Sequence, residues 1–263
     1  MIHWRSTLKL FEWLVGLGKK SPSPKPTVVL VHGAFEDAAA WNGVTVRLQR
    51  CGYRVLAPAV PLRGIRADVT YLDRFIKNVD GPVVLVGHSY GGVLVTELAA
   101  RNEHVSALVY VAAFISEAGE TINALNTQFP GTLLPEATYT VDYGDGIDMY
   151  VKPESYKRLL AGDRPSRAAA VTAAGQRPID VSALTEVTTA SAPGEIPKFA
   201  LVATRDNAVP AQAQQYQAER ARATVYRLRS SHDVPTSHPK FVVRVIEAAS
   251  RRGEKGARGL GDE

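Results

Sequence analysis

Cysteine, long apolar runs and metal-ligand patterns are all scarce in this 263-residue sequence. The single cysteine, Cys51, excludes an intrachain disulfide bond. No apolar run reaches the length of about 18 residues that a membrane-spanning helix requires. No group of His and Cys residues has metal-ligand spacing, so we expect no metal and no cofactor. These absences favour a cytoplasmic protein.

Positive charge exceeds negative charge only slightly. Lys and Arg number 31 against 26 Asp and Glu, which gives a net charge of +5. Because the basic residues do not form one dense stripe, we expect no nucleic-acid partner. The hydrophobic share of 45% is typical of a folded globular protein. The length suits one large α/β domain with room for an insertion.

Short apolar runs alternate with helical segments along most of the chain. Six runs predict buried strands: 27–32, 53–58, 82–86, 105–112, 198–203 and 224–228. Continuous apolar runs of this length are typical of parallel strands that are covered on both faces. With helices between them, they predict an α/β fold with a mostly parallel, doubly wound sheet of about six strands.

We place the domain boundaries where this alternation changes. Residues 114–193 separate two predicted strands and are too many for a simple connection. They contain turn signals, helical patches and scattered aromatic residues, so we predict a mainly helical cap over the carboxyl edge of the sheet. Residues 27–113 and 194–250 form the predicted core. The Gly-rich polar segment 251–263 is expected to be a disordered tail.

The N-terminal segment, residues 1–26, combines a candidate amphipathic helix over 1–18 with a linker rich in Pro and Ser. Trp4, Leu8 and Phe11 lie on the apolar stripe of this helix. Three interpretations stay open: docking on its own domain, a homodimer contact, or peripheral contact with a membrane surface.

One stretch, Pro82–Gly92, joins an apolar strand to a helix through the sequence Gly-His-Ser-Tyr-Gly. A serine between glycines at such a turn is the pattern of a nucleophile elbow. The serine there has a strained backbone, and its neighbours must be small because strand and helix approach closely. Ser89 is therefore the candidate nucleophile, at the N-terminal end of a helix that favours negative charge.

Two further candidates follow the last two predicted strands. A serine hydroxyl needs a base within hydrogen-bond reach, and the base needs a carboxylate to orient it. His232 follows the last strand and Asp206 the strand before it, and the carboxyl ends of parallel strands meet at one edge of a sheet. His238 is the alternative base. Glu117 and Glu120, after the fourth strand, are alternative acids.

A tetrahedral intermediate needs two hydrogen-bond donors for its oxyanion. We expect the backbone N–H of Tyr90, directly after the serine, and that of Ala34, in the loop after the first strand. Phe35 and Tyr90 are expected to form walls of the substrate pocket. His88 is interpreted as structural, with its side chain pointing away from the serine, and His32 as a brace for the first loop.

Four segments carry a resemblance to a known family: VHGAF, GHSYGG, TRDNAVP and SSH. They resemble the α/β-hydrolase superfamily, and most of all its compact esterase branch, which includes plant methyl esterases and hydroxynitrile lyases. The resemblance covers about residues 27–250 and implies a reduced sheet of about six strands. It places three residues on triad positions and two on oxyanion-hole positions: Ser89, Asp206 and His232, and Ala34 and Tyr90.

Two positions depart from the plant hydroxynitrile lyases, which carry a Thr in the first loop and a Lys after the His. Here Gly33 and Asp233 occupy those positions, so a lyase is not expected. The residues together predict a serine hydrolase that cleaves a small-to-medium apolar carboxylic ester through an acyl-enzyme. Two alternatives stay open: a non-hydrolysing small-ligand receptor on the same fold, and a membrane-associated lipid hydrolase.

Overall fold

The computed structural model describes residues 25–258. The amphipathic helix predicted over 1–18, most of the linker, and residues 259–263 lie outside the described residues. Within 25–258, no helix combines the length and the apolar character needed to cross a membrane.

Nine strands lie within this part of the chain: β1 (Thr27–Val31), β2 (Val55–Leu56), β3 (Val83–His88), β4 (Val105–Val111), β5 (Thr138–Asp142), β6 (Ile147–Val151), β7 (Ile179–Asp180), β8 (Lys198–Ala203) and β9 (Thr224–Leu228). Six of them form one parallel sheet in the order β2, β1, β3, β4, β8, β9. This sheet confirms the predicted α/β fold with a parallel sheet of about six strands.

The α-helices of the described residues are α1 (Asn42–Arg50), α2 (Ile65–Ile76), α3 (Gly91–Ala99), α4 (Ile122–Thr127), α5 (Leu134–Ala137), α6 (Pro153–Leu159), α7 (Ser166–Ala174), α8 (Ser182–Thr185), α9 (Ala211–Arg220), α10 (Val234–Ser237) and α11 (Pro239–Arg258). A short 3-10 helix, Ala38–Trp41, precedes α1. Helices α1 and α11 pack on one face of the main sheet, and α2 and α3 pack on the other.

The alternation of side chains along each strand divides the apolar residues into two cores. Val28 and Leu30 of β1 pack with α1 and α11, whereas Val29 and Val31 pack with α2 and α3. Every residue of β1 and β3 is therefore buried. Burial on both faces explains why these strands are continuous apolar runs in the sequence.

The segment between β4 and β8 contains α4 to α8 and a second, antiparallel sheet in the order β5, β6, β7. The sequence predicted helices here but not this sheet. Most residues of β5 are exposed, so the segment lacks the buried apolar run that identified the other strands. The predicted turn near Gly144 connects β5 to β6, and the Tyr143 N–H donates to the carbonyl oxygen of Gly146 at 3.1 Å.

The last helix corrects the prediction of a disordered tail from residue 251, because α11 continues to Arg258. Its buried positions recur at helical spacing: Val242, Val245, Ile246, Ala249 and Gly253. A Cβ added at Gly253 would lie 2.7 Å from the carbonyl oxygen of Ser106 in β4. The glycine that suggested disorder instead lets the helix pack closely on the sheet.

Candidate active site

The turn between β3 and α3 holds Ser89 in a left-handed backbone conformation. Its φ is 52°, which is unfavourable for a residue that carries a side chain. Backbone hydrogen bonds fix the turn: the Ser89 N–H donates to the Val111 carbonyl (3.3 Å). The Ser89 carbonyl accepts from the N–H groups of Gly92 (3.0 Å) and Phe114 (3.3 Å). The strain therefore lies on the candidate nucleophile itself, which is the geometry of a nucleophile elbow.

Glycines around the serine let the strand, the helix and the next loop meet. A Cβ added at Gly87 would lie 2.5 Å from the carbonyl oxygen of Gly91. One added at Gly92 would lie 2.2 Å from the carbonyl oxygen of Phe114. Because Cβ atoms do not approach backbone atoms so closely, a larger residue would displace the main chain. The structure bears out the expectation of small residues on both sides of the serine.

Asp206 and His232 form a buried pair beyond the carboxyl ends of β8 and β9. His232 Nδ1 donates to Asp206 Oδ2 at 2.7 Å. The backbone N–H groups of Ala208 and Val209 donate to Asp206 Oδ1 at 2.8 and 2.9 Å. Gln214 Nε2, from α9, donates to Asp206 Oδ2 at 2.8 Å. Four hydrogen bonds thus fix the orientation of this carboxylate.

The sequence did not identify Gln214 as a residue that positions Asp206. Its Nε2 also donates to the Val209 carbonyl (2.8 Å), and its Oε1 accepts from the N–H of Ala203 at the end of β8 (3.0 Å). The side chain therefore links the end of the strand to the loop that carries the acid. The available signal was a glutamine on the buried face of a helix, where an apolar residue is expected.

Ser89 and His232 line one cavity of about 190 Å³, which is bounded by the main sheet and by residues 114–193. Ala34, Phe35 and Tyr90 line the same cavity, so the structure brings the predicted oxyanion and pocket residues together. The rest of the lining is largely apolar and includes Phe114, Ile122, Leu134, Met149, Leu160 and Val209. The volume lies below the usual range for drug-sized ligands, so the cavity suits a small or medium apolar group.

The loop after β1 passes directly beside the serine. A Cβ added at Gly33 would lie 2.8 Å from Ser89 Cβ, so a threonine does not fit there without a shift. His32 braces this loop as predicted. Its Nε2 accepts from the Val60 N–H (2.9 Å), and its Nδ1 donates to the Gly33 carbonyl (2.9 Å). Burial lowers the pKa of His32, in agreement with a neutral ring.

Tyr90 is the N-cap residue of α3. The first N–H groups of a helix have no partner inside the helix, so the Tyr90 N–H is available to a ligand oxygen. Its hydroxyl donates to Oδ2 of the buried Asp68 at 2.8 Å, and the Arg63 N–H donates to Asp68 Oδ1 at 3.0 Å. Burial raises the pKa of Asp68 to about 6. The sequence did not identify this contact, which fixes the Tyr90 ring as a wall of the cavity.

His88 joins Glu36 to the loop of His232. Its Nδ1 lies 2.9 Å from Glu36 Oε2, and its Nε2 donates to the backbone carbonyl of His232 at 3.0 Å. Burial alone would lower the pKa of His88, but the charge and hydrogen bond of Glu36 outweigh it and raise that pKa. Burial alone would raise the pKa of Glu36, yet His88 holds it below its usual range. With an acceptor at each ring nitrogen, His88 is an imidazolium paired with a carboxylate.

The alternative base and acids have other partners. His238 Nδ1 lies 2.9 Å from the hydroxyl of Ser237. The His238 side chain lines a separate cleft of about 730 Å³, and Ser89 is not part of that cleft. Glu117 and Glu120 both pair with Arg220 of α9, at 3.2 and 2.5 Å. The larger cleft is therefore not the cavity that Ser89 and His232 share.

Asp233 belongs to a buried charged cluster behind the loop of His232, together with Glu36 and His88. Its carboxylate pairs with Arg164 at 2.8 Å. Burial, followed by the charge of Glu36, raises the pKa of Asp233 to about 6. Within the described part of the chain, no group of three or more His, Cys, Asp and Glu could hold a metal ion.

Comparisons with known proteins agree with this fold. A family model described as "Alpha/beta hydrolase family" matches residues 28–245. A carbendazim hydrolyzing esterase of Nocardioides sp. (strain SG-4G) is 36% identical over 123 residues, which are 42% of this chain and 50% of that protein. Methylesterase 1 of Arabidopsis thaliana is 26% identical over 217 residues, which are 73% of this chain and 82% of the methylesterase. The chain thus spans about half the length of the first of these relatives.

A solved structure shows the same fold. Polyneuridine aldehyde esterase superposes with a TM-score of 0.74 and 19% sequence identity, over 86% of this chain and 99% of that one. At this level of identity the likeness concerns the fold alone.

Proposed function

The chain belongs to the alpha/beta hydrolase family, as its motifs indicated, and on this premise we propose that it is a serine esterase acting on small-to-medium apolar carboxylic esters. The observation that carries the proposal is the buried Asp206–His232 pair, whose histidine lines the same cavity as the strained Ser89. Two relatives are named as esterases, which supports ester cleavage in particular.

In this mechanism Ser89 Oγ attacks the acyl carbon of the ester. His232 accepts the serine proton and then donates it to the leaving alcohol, and Asp206 holds the imidazole in the tautomer that this requires. The N–H groups of Ala34 and Tyr90 stabilise the oxyanion of the tetrahedral intermediate. Water, activated by the same histidine, then releases the acid from the acyl-enzyme.

A fluorophosphonate probe tests the proposed nucleophile. Wild-type protein should be labelled covalently, and Ser89→Ala should abolish labelling and lower kcat on p-nitrophenyl esters by about 10⁴-fold or more. His232→Ala should lose turnover, whereas His238→Ala, the matched control, should keep it. Absence of labelling and of turnover on every ester would contradict the proposal. Saturable ligand binding without turnover would indicate the receptor alternative instead.

The role of residues 1–18 and a cytoplasmic location stay predictions. For residues 1–18, three interpretations remain to be distinguished: docking on the chain's own domain, a homodimer contact and a peripheral membrane contact. Sedimentation with anionic vesicles and light scattering, each with and without residues 1–20, would separate them.

A further inference from the structure

The loop that carries His232 is buried against the turn 160–164, which joins α6 to α7. All four residues of this loop, 230–233, are at most 5% exposed. The core holds His232 itself, because Asp206 accepts a hydrogen bond from its ring and His88 donates one to its backbone carbonyl. The neighbours of His232 on both sides bond to the turn instead.

Asp163, in this turn, binds the two serines that precede His232. Ser230 Oγ donates to Asp163 Oδ2 at 2.8 Å, and the Ser231 N–H donates to the same oxygen at 3.2 Å. The Ser231 hydroxyl donates to Asp163 Oδ1. Burial alone would raise the pKa of Asp163, but these hydrogen bonds outweigh it and lower that pKa. The carboxylate is therefore charged at neutral pH and accepts three hydrogen bonds from the loop.

The residue that follows His232 is held by the same turn. The Asp233 carboxylate pairs with Arg164 at 2.8 Å, and the Asp233 N–H donates to the Leu160 carbonyl at 2.8 Å. The turn thus has hydrogen bonds to the chain immediately before and immediately after His232. Because the direction of a side chain follows from its backbone, these bonds restrict where the His232 ring can lie.

Asp163 does not line the cavity that contains Ser89. It lines the separate cleft of about 730 Å³, so a substrate in the Ser89 cavity does not meet it. Any effect of Asp163 on the reaction must therefore pass through the loop of His232. Such an effect can be large, because a displacement of about 1 Å in a reacting group can lower the rate by about 100-fold.

We propose that Asp163 is a positioning residue for the reaction, which acts through Ser230 and Ser231 to hold the His232 ring between Asp206 and the serine nucleophile. The inference rests on the proposed esterase function and deepens it. A base that is not held in this way still lies beside the cavity but spends less time in the reactive orientation. The turn 160–164 therefore affects kcat, whereas substrate binding does not depend on it.

Two substitutions of Asp163 test this role on p-nitrophenyl esters, with kcat expressed per active site titrated by the fluorophosphonate probe. Asp163→Ala should lower kcat by at least about tenfold and leave KM within about threefold of wild type. Asp163→Asn should keep kcat within about threefold. Its Oδ1 accepts from Ser231 Oγ and its Nδ2 donates to Ser230 Oγ, whose own hydrogen can turn to the Ser231 carbonyl at 3.0 Å. A residue kept for stability alone would lower the Tm and leave kcat per site unchanged.

Two further variants separate this contact from a general loosening of the segment 114–193. Ser231→Ala removes a donor of the same contact and should also lower kcat. The double variant with Asp163→Ala should be no more than about twofold slower than Asp163→Ala alone, because both changes break one hydrogen bond. Glu120→Ala is the matched control. It breaks the pair with Arg220 at 2.5 Å, which lies far along the chain from the loop of His232, and should keep kcat within about threefold.

The low-field NMR signal of the His232 Nδ1 proton reports the position of the base without any substrate. It should be sharp in wild type and in Asp163→Asn, and broadened or shifted in Asp163→Ala. Wild-type kcat and an unchanged signal in Asp163→Ala would overturn the inference, and so would an equal loss of kcat in Glu120→Ala. If Asp163→Ala does not fold, the same results in Ser231→Ala decide. A signal that responds to Asp163→Ala, in a protein that cleaves no ester and is not labelled, would support the positioning contact and reject the esterase.

Discussion

At the scale of single residues, the site depends on buried polar side chains that do not touch the substrate. His88 connects Glu36 to the backbone of His232, and Gln214 connects the end of β8 to Asp206. His88 fixes the loop of His232, which lines the cavity, and Gln214 fixes Asp206, the carboxylate bonded to His232. Buried polar contacts of this kind are sensitive to substitution, because removing one group leaves its partner unpaired in a nonpolar environment.

Glu36 offers a matched pair of substitutions. Glu36→Gln should keep the arrangement, because a neutral His88 can accept from the Gln amide while its Nε2–H still donates to the His232 carbonyl. Glu36→Leu leaves the buried Nδ1 of His88 without a partner and should lower the free energy of unfolding by about 1–3 kcal/mol. Urea denaturation and kcat measure the two effects. We expect a fall in kcat of at least about tenfold for Leu and less than about threefold for Gln. Equal losses in the two variants would contradict the positioning role.

Asp68 should make stability depend on pH. Its folded-state pKa of about 6 is above the ordinary value of 3.8, so its contribution to stability is complete below about pH 4 and is lost as pH rises through 6. Asp68→Asn resembles the protonated form. It should match wild type near pH 4 and exceed it near pH 7.5 by up to about 3 kcal/mol. Urea denaturation at several pH values measures this difference in the free energy of unfolding. A difference that does not vary with pH would argue against a buried Asp68 carboxyl with a raised pKa.

At the scale of elements, the unit of β3, the turn and α3 supports the site. Every residue of β3 and α3 is buried, so this unit cannot shift to relieve strain at Ser89. The glycines at its centre allow backbone-to-backbone contact with β1 and with the segment after β4. The geometry of the nucleophile is therefore held by the close packing of neighbouring main chains.

Gly92→Ala tests this packing. Its Cβ would lie 2.2 Å from the carbonyl oxygen of Phe114, in a backbone that cannot move aside easily. We expect a loss of at least about 3 kcal/mol in the free energy of unfolding, or no folded protein. Gly194→Ala is the control, because a Cβ there meets no atom within 4 Å. Thermal unfolding of both variants is sufficient, and a Tm for Gly92→Ala close to wild type would refute the close contact.

At the scale of the whole molecule, the segment 114–193 is fastened to the core near its first end, and its two ends are joined to each other. Arg220 of α9 pairs with Glu120 (2.5 Å) and Glu117 (3.2 Å) and donates to the carbonyl of Ile115 (3.0 Å). Thr188, near the other end of the segment, donates its hydroxyl to the Glu117 carbonyl at 2.6 Å. These contacts close the segment into a loop whose base is held by one arginine of the core.

Arg220→Met removes that connection while keeping the aliphatic part of the side chain. The ion pairs are only partly buried, so we expect the free energy of unfolding to fall by about 2–3 kcal/mol. This corresponds to a fall in Tm of about 4–12 °C. Limited proteolysis should also cleave near residues 115–120 more readily than in wild type. Arg227→Met, on the exposed side of β9, is the control and should change the Tm by no more than about 2 °C. Equal effects in the two variants would rule out a special role for Arg220.

The sequence by itself determined the features that depend on local pattern. Buried parallel strands are continuous apolar runs, so the six-stranded sheet could be predicted from them. The elbow needs glycines within a few positions of Ser89, so the turn could also be recognised. The hairpin of β5 and β6 was not predicted, because β5 is mostly exposed and the buried residues of β6 include a charged one, Asp148, so neither strand is a continuous apolar run. The helical continuation to Arg258 was missed because Gly253 was interpreted without its close contact to Ser106.

Only the tertiary structure decided which polar residues meet. From the sequence alone, His238 stayed an alternative to His232 as the base. In the folded chain, His232 bonds to Asp206 and lines the cavity of Ser89, whereas His238 lines the other cleft. His88 lies 52 positions from Glu36 and 144 from His232, and no local pattern encodes contacts over such distances. The sequence gives the chemical groups of each side chain. Which of these groups come into contact depends on the packing of elements that are distant along the chain.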